Sequence, residues 1–72
     1  MPRYPAIQVS TEGFEGNRLA VLGLVLGAMN SSGVPREQVD AFLIEVNRRP
    51  ETYADTFAVC ELWVTMHPPS GI

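Results

Sequence analysis

Leu19-Ala20-Val21-Leu22-Gly23-Leu24-Val25-Leu26-Gly27-Ala28-Met29 is an unbroken apolar run without an ionisable side chain. Leu, Ala and Met are strong helix formers, and Asn17 can cap a helix by accepting hydrogen bonds from its free N–H groups. Ser31-Ser32-Gly33 supplies the stop, because glycine takes the left-handed conformation that commonly ends a helix. A helix over 17–30 follows. On its wheel Leu19, Leu22, Val25, Leu26 and Met29 form a bulky side, and Ala20, Gly23 and Gly27 a row of small residues. Val21, Leu24 and Ala28 fill the arc that a surface helix usually leaves polar. A helix apolar all round is normally buried all round, so this one is expected to be covered on nearly every side.

Two glycines within one helix cost ~1 kcal/mol each relative to Ala, and their alignment predicts the close approach of another backbone. The bulky side is assigned to the core of the subunit. The arc around Ala20, Gly23, Leu24, Gly27 and Ala28 then needs a partner, either the third helix or a second subunit. A chain of 72 residues buries a limited core, and its single cysteine, Cys60, cannot form an internal disulfide. Association of subunits is therefore the expected supplement.

Outward from this helix, Pro2 and Pro5 keep residues 1–5 extended. Ala6-Ile7-Gln8-Val9-Ser10 alternates so that Ile7 and Val9 share a face, which predicts a strand over 6–10. Pro35 suits the first turn of a second helix over 35–48, and Glu37 and Asp40 suit its positive end. Val39, Phe42, Leu43 and Val46 make one apolar stripe, whereas Ile44 projects among the acidic residues. Pro50 ends that helix. Thr52, followed three residues later by Asp55, starts a third helix over 52–66 with Tyr53, Phe57, Cys60 and Val64 in one stripe and Trp63 beside it. An alternative ends this helix near Leu62 and pairs Trp63 to His67 as a strand with Ile7 to Val9, since a lone strand leaves its backbone groups unpaired. Residues 67–72 are expected to be a tail. The expected fold is a single small α+β domain, mainly α, with a short strand leading into a compact bundle of three helices.

Five Arg, no Lys, six Glu and two Asp give a formal net charge of -3. This balance argues against nucleic-acid binding through phosphate neutralisation. Helix one, the Ser31-Ser32-Gly33 turn and helix two follow the order of a helix-turn-helix. The would-be recognition helix, however, presents Glu37, Asp40 and Glu45 to the phosphates. The run Leu19 to Met29 is shorter than the ~20 residues that span a bilayer, and no signal peptide is visible at the start. A soluble, cytoplasmic protein is expected, with neither a nucleic acid nor a membrane as partner.

No nucleophile, base and orienting group emerge together, so no catalytic residue and no cofactor is assigned. Cys60 lies on an apolar stripe, and the lone His67 makes no metal cluster. Binding chemistry is thinner still. Gly13 to Arg18 leads into a helix N-terminus, where N–H groups and the dipole favour anions. Arg48 and Arg49 close helix two. Asn17, Arg18, Arg48 and Arg49 are thus the candidate contacts for a small anionic ligand, and Ala20, Gly23, Leu24, Gly27, Ala28 and Ile44 the candidate interface.

Glu15-Gly16-Asn17, with Ala20, Gly23, Val25 and Ala28-Met29, then Gly33-Val34-Pro35-Arg36-Glu37-Gln38 with Phe42 and Glu45, and finally Tyr53 and Trp63-Val64, resembles a group of small uncharacterised bacteriophage proteins. The resemblance spans about residues 7–66. It departs at Leu24, Val25 and Leu26, where that group is expected to carry basic residues. It implies a phage or prophage setting, in which small acidic accessory proteins act against host machinery or defence. The partners expected are the chain itself, as a homo-oligomer, and a host protein or a small anionic ligand such as a nucleotide.

Overall fold

The computed structural model describes residues 2–14, 16–48 and 52–67. The strand β1 (Tyr4–Ser10) is followed by the helices α1 (Arg18–Ser31), α2 (Arg36–Asn47) and α3 (Tyr53–Trp63), and by the strand β2 (Val64–His67). The fold is α+β. Strand β1 starts two residues before the expected Ala6, where the Arg3 amide donates to Leu62 O at 3.0 Å and anchors the strand's entry.

The third helix is shorter than the expected 52–66, and the strand alternative is the one the chain adopts. Val64 is already extended, with φ -136° and ψ 165°. From there Val64 and Met66 are buried, Thr65 is half-buried and His67 is exposed, which is the two-residue period of a strand. His67 thus belongs to β2 instead of a tail, and 68–72 lie outside the described residues. The physical reason is pairing: β1 and β2 form a parallel ladder that matches Gln8 with Thr65, Val9 with Met66 and Ser10 with His67. Parallel strands need a long crossover, and the three helices supply it. Beyond the ladder the Thr11 amide donates to His67 O at 3.1 Å.

Local signals set the helix ends. Asn17 Oδ1 accepts from the Ala20 amide at 3.1 Å. At the far end of α1, Gly33 has φ +76° and the Val34 amide donates to Met29 O, a closure that needs the left-handed residue. Thr52 Oγ1 accepts from the Asp55 amide at 3.1 Å and opens α3.

The core is built from Ile7 and Val9 of β1, one stripe from each helix, and Val64 and Met66 of β2. Helix α2 contributes Val39, Phe42 and Val46, with Leu43 half-buried, as its periodicity predicts. Helix α3 turns Thr56, Val59, Cys60 and Trp63 inward and leaves Tyr53 and Phe57 half-buried, a rotation from the expected stripe. The Phe42 and Trp63 rings meet edge to face, with centroids 5.7 Å apart. Among the described residues no helix is long and apolar enough to cross a membrane.

Candidate assembly surface

Helix α1 is not enclosed. Val21, Val25 and Met29 are its buried residues, four apart and therefore on one stripe, against α3 and β1. Leu22, Leu24, Leu26 and Ala28 are half-buried at the margins of that stripe. Leu19, expected in the core, is 75% exposed. The correction has a simple origin: a strand and one helix cover one side of α1, and the helix has no polar side by which the sequence could mark the other.

The exposed side is centred on Gly23, with Leu19 four residues before it, Gly27 four after and Asn30 seven after. A Cβ built on Gly23 or Gly27 meets nothing within 4 Å. The fold of the single subunit therefore does not need glycine at either place, and the reading in which another helix of the same subunit approaches them is overturned. What remains is an exposed strip bordered by Leu19 and the half-buried Ala20, without an ionisable group from Leu19 to Ser31. Leu24 and Ala28, placed in the interface by the sequence pattern, lean instead against the core. Leu19 was missed, although its place four residues before Gly23 puts it on the same ridge.

Ile44 stands on a second surface, 56% exposed on α2. Glu37 and Asp40, two turns and one turn before it on the same side, are exposed as well.

The candidate anion contacts hold separate places. The Asn17 side-chain oxygen caps α1, and Arg18 is half-buried, its Nε donating to Thr56 Oγ1 at 2.8 Å. Arg48 is exposed at the end of α2, and its amide donates back to Ile44 O and Glu45 O. Arg49 lies outside the described residues. Among the described residues, the hydrogen bonds of Asn17 and Arg18 run into α1 and α3 and those of Arg48 into α2, so they do not join the start of α1 to the end of α2.

Cys60 is buried, and burial first, with the neighbouring Glu61 carboxylate adding, pushes its thiol up to about 12 against the opposing effect of a backbone hydrogen bond. A thiol so raised is protonated at neutral pH and is a poor nucleophile there. His67 Nε2 hydrogen-bonds with Gln8 Oε1 at 2.9 Å on the outer face of the sheet. Among the described residues no group of three His, Cys, Asp or Glu side chains is placed to hold a metal ion.

No family model, no curated protein and no solved structure matches this chain. The resemblance to bacteriophage proteins thus rests on the residues quoted for it and on nothing further.

Proposed function

We propose that this chain is a non-catalytic accessory protein that acts as a homo-oligomer joined through the exposed side of α1. The observation that carries the reading is the open ridge of Gly23 and Gly27 beside an exposed Leu19. Each glycine weakens the helix by ~1 kcal/mol against Ala without a return inside the subunit. A second α1 laid across the strip supplies that return, because two glycine ridges let backbones come close and bury both Leu19 side chains. Charge selects this side for self-association. The chain carries -3 overall, and a copy brought to the α2 face meets Glu37 and Asp40 with its own acidic residues, whereas the α1 strip is neutral.

In the phage or prophage setting that the resemblance implies, such an assembly serves to sequester a small anionic ligand, of which a nucleotide is the leading class, in a pocket between subunits, with Arg18 and Arg48 among the candidate contacts. Light scattering across a concentration series, combined with a thermal-shift panel of nucleotides, tests both halves. Concentration-dependent mass together with stabilisation by one nucleotide supports the reading. A monomer at every concentration removes the assembly.

Ile44 favours a second reading, in which the Glu37-Asp40-Ile44 side of α2 docks on a host protein as an inhibitor. A large apolar residue exposed between carboxylates suits a partner with an apolar pocket rimmed by cations. Loss of host-protein capture on Ile44→Glu, with α1 variants unaffected, would favour it.

A further inference from the structure

Between the first half of β1 and the turn that joins α1 to α2 lies an open cleft of about 390 Å³, lined by residues 3–7 on one side and 32–35 on the other. That volume falls in the ~300–1,000 Å³ range of small-molecule sites. Tyr4, Pro5, Ala6, Ile7, Val34 and Pro35 make its walls chiefly apolar.

One cation belongs to this cleft. Arg3 is held in place twice: its guanidinium carbon sits 4.1 Å from the centre of the Trp63 ring, and its Nη1 donates to Gln38 Oε1 at 3.0 Å. Trp63 is itself fixed in the core against Phe42, and stacks on Tyr4 at 6.5 Å. Among the described residues, the side-chain partner of this guanidinium is thus a neutral amide and an aromatic face, not a carboxylate. A guanidinium has five N–H donors in a rigid fork matched to a carboxylate, and Gln38 takes one of them. An oriented cation without an anionic partner among the described residues, beside an apolar cleft, is complementary to a molecule with one carboxylate and an apolar body.

We infer that this cleft binds a small amphipathic carboxylate, its alkyl chain lying between β1 and the α1–α2 turn and its carboxylate on Arg3. An extended peptide fits less well. Pro5 has no N–H to offer a pairing strand, and its carbonyl already accepts from Thr65 Oγ1 at 2.7 Å. The β1–β2 ladder is also irregular between Tyr4 and Gln8, so this stretch does not present a regular edge. An alkyl chain asks for no such hydrogen bonds. The inference is independent of the α1 surface, which lies on another part of the molecule's sequence and uses none of these residues.

The test uses the whole chain with octanoate, kept below its micellar range, and octanol as the uncharged match. Trp63 is the sole tryptophan, so its fluorescence reports the stacked Arg3, and calorimetry gives the affinity independently. Octanoate is expected to bind at least ~10-fold more tightly than octanol, the scale of a charge-assisted hydrogen bond. Arg3→Gln should remove that difference while leaving octanol unchanged. Ala6→Phe, which adds a ring at an exposed position of the cleft wall, should weaken both ligands. Circular dichroism of each variant checks that it folds. Failure of octanoate to bind, equal affinity for octanoate and octanol, or indifference to either substitution overturns the inference.

Discussion

Arg18 in the first turn of α1 donates from Nε to the hydroxyl of Thr56, 2.8 Å away on the buried side of α3. Thr56 is 1% exposed, so its hydroxyl has no water to fall back on. Thr56→Val keeps the shape and deletes the acceptor, leaving a half-buried guanidinium N–H unmatched. Urea unfolding is expected to show a loss of about 1–3 kcal/mol. Adding Arg18→Met to that variant should restore part of the loss, because the orphaned donor goes with it. If the double variant is as unstable as the sum of the singles, the bond is not the link between the two helices.

The glycine strip predicts opposite signs for stability and association. Gly27→Ala fills open space on an exposed helix position and should raise the stability of the dissociated subunit by about 1 kcal/mol. Gly27→Leu should leave the fold intact, since a Cβ at this exposed position has no atom of its own subunit within 4 Å, and raise the dissociation constant of the oligomer at least ~10-fold by holding the backbones apart. Sedimentation of both variants at matched concentrations reads the second effect and chemical denaturation the first. Unchanged sedimentation for Gly27→Leu would exclude this strip as the interface.

Cys60 gives a pH dependence with a definite direction. Its folded thiol is pushed from 9.0 up to about 12 by burial, while an unfolded chain releases the same proton near 9. The folded form therefore holds more protons between these values. Its contribution is intact below pH 9 and is lost as pH climbs toward 12, at up to about 1.4 kcal/mol per pH unit. Comparing urea midpoints at pH 8 and 10.5 for the parent and for Cys60→Ala isolates this contribution, because other groups titrate in both. The parent should lose more. Equal losses would place the thiol in contact with water.

Phe42 carries the contact between α2 and the centre of the core, fully buried and edge-on to Trp63. Phe42→Ala is expected to cost about 3–5 kcal/mol, a large share of what a domain of this size commands. Leu43→Ala, at the half-buried neighbouring position, should cost clearly less. Near-ultraviolet circular dichroism of Trp63 would separate the two: its signal should collapse for the first and persist for the second.

Wherever a cap or a breaker was present, the sequence was easy to read. Asn17, Gly33 with Pro35, and Thr52 with Asp55 fix three helices to within a few residues, because each satisfies backbone groups locally. The rotation of α1 was not legible. Burial direction is normally read from the contrast between apolar and polar sides, and Leu19 to Met29 offers no contrast, so exposed Leu19 and buried Val21 look alike. Residues 63–67 were ambiguous for a related reason: an apolar helix running straight into Val64-Thr65-Met66 changes period without a break. That choice is settled only by the partner strand at the other end of the chain. The anion candidates show the same limit, since a charged residue beside a helix end gives no sign that Thr56 will take its hydrogen bond. The cleft is less visible still. It arises where β1 passes the α1–α2 turn, and the Gln38 and Trp63 that hold the Arg3 guanidinium at its rim lie far from Arg3 in sequence.

The parallel pairing of β1 with β2 also has a consequence for synthesis. The ladder joins β1, made before the three helices, to β2, made after them, so all three helices are synthesised before β1 can find this neighbour. Contacts of such long sequence separation are slow to form. During translation the strand must wait with its hydrogen-bonding edge uncovered, and Ile7 and Val9 remain without the lid that Val64 and Met66 provide. The final four residues of the fold are thus its clasp, and a chain stalled before Val64 would be three helices with a loose end.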